Sequence, residues 1–209
     1  MLRKKITDYN LYVFDLDGTL YSQPRLRFIM ASRLLGYYVL HPHRIGELFL
    51  LQDFRKTKDS WEGESNEEKV IEDVARRHNK DKKIVEDIVK HWIYDNPLSA
   101  VAATKFEKMI SFMEELRQSG KKVVILSDYP TKDKLDAMKV TVDAQYSTTD
   151  ERIGELKPSP KGLMVVMSDF GENPENTLMI GDRDVKDGAS ARSAGVDFAL
   201  AVKGEIAES

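Results

Sequence analysis

Asp15 and Asp17 flank Leu16, just after the apolar run Leu11-Tyr12-Val13-Phe14 and just before Gly18. The run has the length and composition of a strand, and Gly18 breaks it. Side chains at i and i+2 of a strand point the same way, so the two carboxylates can converge where the chain leaves it. Two ionised carboxylates held together are costly unless a cation sits between them. A hard divalent ion bound by oxygen, Mg²⁺ first among them, meets that need. Asp-x-Asp-Gly has plainer readings too. Asp-Gly is a common turn dipeptide, and the stretch could be a fragment of a calcium loop, although the other ligands and the closing Glu are missing.

Further along, Lys122-Val123-Val124-Ile125-Leu126 reads as a strand buried on both faces and is followed by Ser127-Asp128. Thr177-Leu178-Met179-Ile180 reads as another, followed by Gly181-Asp182-Arg183-Asp184. Lys157 precedes Pro158, which keeps it out of a helix interior. Each of these residues alone has an ordinary explanation. Ser127 could cap a helix, and Lys157 could be one solvated lysine among many.

The elements that must position these residues alternate from Leu98 onward. Phe106, Met109, Ile110, Met113 and Leu116 form one helix face that Gly120 closes. A short helix is expected at about 131–138, a weak strand at Ala144-Gln145-Tyr146, and a helix from Lys157-Pro158-Ser159-Pro160 to about Phe170. A helix with Val185, Ala189, Ala191 and Ala194 ends at Gly195, and Asp197 to Ala201 is a last strand. This rhythm predicts an α/β fold with a doubly wound parallel sheet. Ligands in such sheets bind at the carboxyl ends of the strands, where Asp15, Asp17, Ser127, Asp128 and Asp182 all fall.

The stretch of roughly 22–98 breaks the rhythm and reads as all-helical. Pro24 suits a helix start. Helices are expected over 25–38 and 43–56, then after a capping-box spacing at Ser65 and Glu68, then over 82–94. Asp59 to Asn66 reads as a loop, and Asp95-Asn96-Pro97 as the end of the block. Thr104 and Glu107 give a second capping-box spacing. The predicted division is a core of residues 1–21 and 99–209 with a helical cap of 22–98 inserted after the first strand.

The 209 residues, 41% hydrophobic and 32% charged, suit a soluble globular chain with a real core. The net charge of −3 and the absence of a basic stripe argue against nucleic acid as a partner. The chain has no cysteine, which excludes disulfides, thiolate metal sites and a cysteine nucleophile. No apolar region follows the basic start, so no signal peptide is expected, and no apolar run is long enough to cross a membrane. A cytoplasmic location is the resulting expectation.

In this order the motifs resemble the haloacid dehalogenase (HAD) superfamily with a helical cap. They stand here as Asp15-Leu16-Asp17-Gly18-Thr19, Ser127, Lys157 in Lys-Pro-Ser-Pro, and Gly181-Asp182-Arg183-Asp184-Val185-Lys186-Asp187. The resemblance implies an Mg²⁺-dependent phosphatase acting on a small phosphorylated metabolite. In that scheme Asp15 is the nucleophile that forms an aspartyl-phosphate. A carboxylate needs no base to activate it. Asp17 is the general acid and later the base, and its backbone carbonyl is a metal ligand. Thr19 supports by hydrogen bonding, unless it is only a turn hydroxyl. Ser127 and the amides of Leu16 to Gly18 hold phosphoryl oxygens, and Lys157 balances charge. Asp15 and Asp182 bind the metal, and Asp187 supports it. Asp184 competes with Asp187 for that role, but the family spacing and the small-residue helix after Asp187 favour the latter.

Asp17 also sorts the subclasses, because the superfamily's dehalogenases lack this second aspartate. A phosphomutase using the same intermediate, or a non-catalytic phospho-ligand-binding protein that kept the fold, are the alternatives. A phosphonatase would use a cap lysine as a Schiff base. Lys56 and Lys58 lie in the insertion, with no sequence context marking either as buried. No P-loop or dinucleotide motif is present. Tyr21, Arg25 and Arg27 lie where a cap meets its core, with snorkelling as the alternative for the arginines. His41-Pro42-His43 reads as surface. Tyr37, Tyr38, Trp61 and Trp92 are candidates for lining a pocket, while Phe106, Met109, Phe112 and Met113 read as core. The sequence leaves open whether the chain is a monomer or a homodimer.

Overall fold

The computed structural model describes residues 2–60 and 67–207. Strand β1 (Leu11–Phe14) lies at the centre of the sheet. β2 (Lys122–Ser127) and β4 (Thr177–Gly181) flank it, and β3 (Ala144–Ser147) and β5 (Asp197–Val202) lie outside these. All five are parallel, and a short β6 (Glu205–Ile206) turns back antiparallel on β5. The chain leaves β1 towards β2 on one side and reaches β4 on the other. β1 is therefore the point where strand order reverses, and a crevice opens there.

Alternate residues of these strands enter different layers, as the two-residue period requires. Tyr12, Phe14, Ile125 and Ile180 pack with Met109, Met113 and Leu116 of α6 (Glu107–Gln118) and with Leu135 and Met138 of α7 (Lys132–Met138). Leu11, Val13, Val124, Leu126 and Met179 pack on the opposite face with Leu163, Val166 and Met167 of α8 (Lys161–Phe170), and with Ala191 of α9 (Ala189–Ser193). Burial on both faces explains why the strands read as continuous apolar runs.

The inserted helices are α1 (Gln23–Leu40), α2 (Gly46–Asp59), α3 (Glu67–Arg77) and α4 (Lys82–Val89). A wide turn over Lys90–Asp95 leads into α5 (Asn96–Thr104). They share a core of their own, built on Met30, Leu50, Phe54, Val74, Val85 and Trp92. Ser22 caps α1 by accepting from the amide of Arg25, and Pro24 sits in the first turn. The two crossings between insertion and sheet run side by side. The Ser22 amide donates to Thr104 O, and the Phe106 amide donates to Leu20 O, each at 2.8 Å.

Three local expectations are corrected. Asn96-Pro97 does not end the helical block, because a proline in a first turn gives up no needed hydrogen bond. Helix α5 therefore continues to Thr104, across the predicted boundary at 98, and Val101 packs in the core of the sheet. Thr104 does not cap α6. Its hydroxyl donates back to the carbonyls of Ala100 and Val101 in its own helix. Ser65, Trp61 and most of the expected 59–66 loop lie outside the described residues, and α2 itself continues through Asp59.

Candidate active site

The register Phe14↔Ile125 and Phe14↔Ile180 brings the ends of β1, β2 and β4 level. Asp15 follows at the rim, its amide bound to Ile180 O at 2.8 Å. It is buried, and so are Asp17, Thr19, Ser127, Lys157 and Asp187. The Lys157 ammonium donates to Asp15 Oδ1, to Asp187 Oδ1 at 2.6 Å and to Leu126 O at 3.3 Å. The Thr19 hydroxyl donates to Asp15 Oδ2 at 3.3 Å.

Asp182 completes the group. Carboxylate oxygens of Asp15, Asp182 and Asp187 all lie within 4.8 Å of one another. Two glycines make room for this. Gly18 has φ +104°, and a Cβ there would fall 2.1 Å from Asp182 Oδ2. A Cβ at Gly181 would fall 2.5 Å from Asp187 Cγ. Asp187 is fixed further by the Arg183 amide, which donates to its Oδ2 at 3.1 Å. Asp184 stands apart at the surface, paired with Arg192 at 2.7 Å.

The electrostatics fit a divalent cation. Three carboxylates meet the Lys157 ammonium and, at 3.8 Å from Asp182 Oδ1, the Arg183 guanidinium, which leaves the acids in excess by one charge. Asp182 Oδ1 is buried and accepts no hydrogen bond among the described residues. Burial pushes Asp15 up, Lys157 opposing, and it raises Asp182 as well. Burial would lower Lys157, but Asp15 and Asp187 hold its ammonium well above the usual range. An ion on the three carboxylates would answer each of these features.

The Asp17 carboxylate is not among the three that converge on one point, Asp15, Asp182 and Asp187. It turns instead to its own partners. Lys134 donates to its Oδ1 at 2.6 Å, and the Tyr21 hydroxyl donates to the same oxygen. Burial raises its pKa, but Lys134 and Tyr21 outweigh that, and the carboxyl stands below its ordinary value. The Asp17 carbonyl accepts from Gln23 Nε2 at 2.8 Å. A carbonyl has a second lone pair, so this bond leaves one for another partner.

Ser127 ends β2 and accepts from the Tyr129 amide at 3.2 Å. It lines a cavity of about 440 Å³ between the sheet rim and the inserted helices. Asp15, Asp17, Tyr21, Arg27 and Lys134 line it too. Tyr21 and Arg27 thus face the site, while Arg25 lies exposed on the far side of α1. Leu16 is buried in the core, and its carbonyl accepts from the Leu20 amide, closing the turn that carries Gly18.

Three contributors have roles that the sequence does not assign, and Lys134 is the one it does not single out at all. Lys134 has an ordinary helical context, with Leu135 and Met138 as the only periodic signal. Asp128 is buried and accepts from the Lys157 amide at 3.1 Å, which seats that residue. Lys58 is buried, which no sequence context marks. Its ammonium pairs with Glu67 at 2.5 Å and lies 4.1 Å from the centre of the Tyr129 ring. His41 stacks on Tyr37 and joins no metal-holding group among the described residues.

A model of haloacid dehalogenase-like hydrolases matches residues 9–195. A curated relative, phosphoglycolate phosphatase of Aquifex aeolicus (strain VF5), is 27% identical over 200 residues, 93% of this chain and 85% of that protein. Among solved structures, 2-haloacid dehalogenase from Pseudomonas syringae pv. Tomato DC3000 aligns at TM-score 0.64 and 15% identity, covering 92% of this chain and 86% of that one. The HAD-hydrolase YfnB from Bacillus subtilis bound to magnesium aligns at TM-score 0.64 and 14% identity, covering 92% and 88%. These two share the fold, and no described helix is long and apolar enough to cross a membrane. By the family match over nearly its whole length, the chain belongs to the haloacid dehalogenase-like hydrolases.

Proposed function

We propose that the protein is an Mg²⁺-dependent phosphatase that hydrolyses a small phosphorylated metabolite through a phospho-Asp15 intermediate. The observation that carries this reading is the pair of aspartates with separate cations. Asp15 sits with Lys157, Asp182 and Asp187, and Asp17 sits with Lys134 at the mouth of the same cavity. A nucleophile and a proton carrier need different surroundings, and these residues have them. The phosphatase relative in Aquifex aeolicus and the magnesium-bound hydrolase from Bacillus subtilis support the same assignment.

Asp15, Asp182 and Asp187, with the Asp17 carbonyl, would hold the metal, which supplies charge neutralisation at the phosphoryl oxygens. The Asp15 carboxylate attacks phosphorus, and the bond to the leaving oxygen breaks. Asp17, which takes up the proton that a phosphate monoanion brings into the site, passes that proton to the leaving oxygen. Water then yields a proton to Asp17 and its oxygen attacks phosphorus, which frees Asp15 and releases phosphate. Ser127 and the amides of Leu16 to Gly18 hold phosphoryl oxygens, and Lys157 balances the charge on Asp15. Residues 22–98 act as the cap that excludes bulk water and selects the substrate. The cysteine-free composition fits work in the cytoplasm.

The test is release of inorganic phosphate from p-nitrophenyl phosphate and a panel of phosphorylated metabolites with Mg²⁺, using Asp15→Asn as the blank. Turnover by the wild type and a loss of at least about 10³-fold in the variant are expected. Equal rates for the two would sink the proposal. Isomer formation without phosphate release would assign a phosphomutase instead.

A further inference from the structure

Helix α1 is apolar on two opposite faces. Met30 and Leu34 point into the core of the inserted helices. On the other side Phe28, Leu35 and Val39 are 74%, 68% and 68% exposed. Positions 28, 32, 35 and 39 share one helix face by the 3.6-residue period, and none is charged. Leu40, Ile45 and Phe49 extend the apolar surface around the end of α1 and along α2. A helix with apolar residues all round is normally buried.

Two details show that this face is built for contact. Gly36 lies inside the helix with nothing within 4 Å of where a Cβ would stand. Glycine there is destabilising relative to alanine, and no contact within the chain calls for it. It does permit another helix to approach closely. Ser32 lies in the middle of the stripe, and its hydroxyl donates back to Phe28 O at 3.0 Å. The stripe can therefore be covered without stranding a donor.

The size of the surface identifies the occupant. Six large apolar side chains, each more than half exposed, present on the order of 600 Å² in total. That lies at the upper end of the roughly 300–600 Å² of the largest apolar patch on a monomer, where such patches are often functional. Two such faces together clear the roughly 1,000 Å² expected of a specific interface. Charge supports a self-pairing as well. An antiparallel pairing centred between Arg33 and Leu34 sets Phe28 against Val39 of the second copy and Leu35 against its Ser32. Arg25 then reaches the carboxyl end of the second copy's α1. The last turn of that helix has no basic residue of its own, and its partial negative charge suits a guanidinium. Leu40 of the second copy falls beside the groove lined by Pro24, Phe28, Ile29 and Ala103.

We propose that the protein is a two-fold symmetric homodimer assembled through the outer face of α1, with Phe28, Leu35 and Val39 buried between the copies. The catalytic cavity is lined by Leu26, Arg27 and Met30, which lie on the other side of the helix, so the dimer leaves it accessible.

Sedimentation equilibrium of the full chain at micromolar concentration tests this. The wild type should show twice the 23.9 kDa of one chain. Leu35→Glu and Val39→Glu should each weaken association at least tenfold, with unchanged far-ultraviolet circular dichroism because both side chains face outward. A cross-link gives a second readout, since the natural chain has no cysteine. Ser32→Cys should be joined efficiently by a short bis-maleimide, and Met164→Cys, exposed on α8, should not. A wild type that sediments as a single chain overturns the proposal. So does dimerisation unaffected by both glutamates, or equal cross-linking at the two cysteines. A single chain that binds phospholipid vesicles through this face would give the surface to a membrane instead.

Discussion

The Lys134 ammonium stands 2.6 Å from Asp17 Oδ1, joining residues 117 positions apart. Together with the Tyr21 hydroxyl it fixes where the Asp17 carboxylate points and holds it ionised, while Gln23 Nε2 anchors the Asp17 main-chain carbonyl. An ionised carboxylate in a fixed place suits the step that takes a proton from water. Lys134→Met should therefore lower kcat on p-nitrophenyl phosphate by roughly 10–100-fold, and Asp17→Asn by about 10²–10⁴-fold. Because Lys134 works through Asp17, the double variant should be no slower than Asp17→Asn, to within about threefold. Losses that multiply would mean that Lys134 acts on substrate independently.

Asp182 Oδ1, which accepts no hydrogen bond among the described residues, gives a prediction about metal that does not depend on turnover. Mg²⁺ at 100 times its dissociation constant should stabilise the wild type by about 2.7 kcal/mol. For a chain of this size that raises the melting temperature by roughly 5–10 °C. Asp182→Asn removes a half-buried carboxylate whose ionisation burial already disfavours. The metal-free variant should melt no lower than the metal-free wild type and should lose the Mg²⁺ response. Gly18→Ala should lose that response as well, because its new Cβ and the Asp182 carboxylate claim the same space. A normal Mg²⁺ shift in either variant would remove Asp182 from the metal group.

These two sites differ in how far they could be read. The ends of β1 and β4 are legible because strand burial on both faces writes a continuous apolar run, and the acids follow at once. Asp187 is fixed by its distance from Asp182 along one turn. Lys157 is harder. Only the proline after it constrains it locally, and its buried position comes from carboxylates 142 and 30 residues away. Lys134 leaves no mark at all, since its helix is amphipathic through Leu135 and Met138 whichever way the neighbouring lysine points. The same limit produced the misreadings at Asn96-Pro97 and Thr104. Proline and threonine each have two local uses, and the neighbouring helix decides between them.

Lys58 ties the inserted helices to the sheet. It pairs with Glu67 and Tyr94 on its own side and lies over Tyr129, two residues beyond Ser127, on the other. Such a cation–π contact is worth about 0.5–2 kcal/mol. Lys58→Met keeps the stem but loses the charge. Amide exchange around Leu20–Ser22 and Thr104–Phe106, where the chain crosses between the two parts, should speed up by roughly 3–30-fold. Unchanged exchange there would show that Lys58 serves only the inserted helices.

The last prediction concerns alkaline stability. Tyr9 is fully buried and donates to Asp197 Oδ2 at 2.6 Å, and Tyr12 is fully buried and donates to Ile6 O at 2.7 Å. Burial pushes both phenols up to about 12, with Asp197 adding to the effect at Tyr9. In the unfolded chain they ionise near 10. Below pH 10 both states hold the proton, and the contribution of the buried phenols is complete. Between pH 10 and 12 the unfolded chain releases its protons while the folded chain cannot, so stability falls with rising pH. From pH 9 to 11 that amounts to roughly 1 kcal/mol per tyrosine. Urea titrations at the two pH values should show the loss, and Tyr9→Phe should lose about 1 kcal/mol less over the same interval. The variant starts from a lower stability at pH 9, because Asp197 has lost a charge-assisted hydrogen bond. An identical pH dependence in the two proteins would mean that the Tyr9 phenol ionises as readily in the folded chain as in the unfolded one.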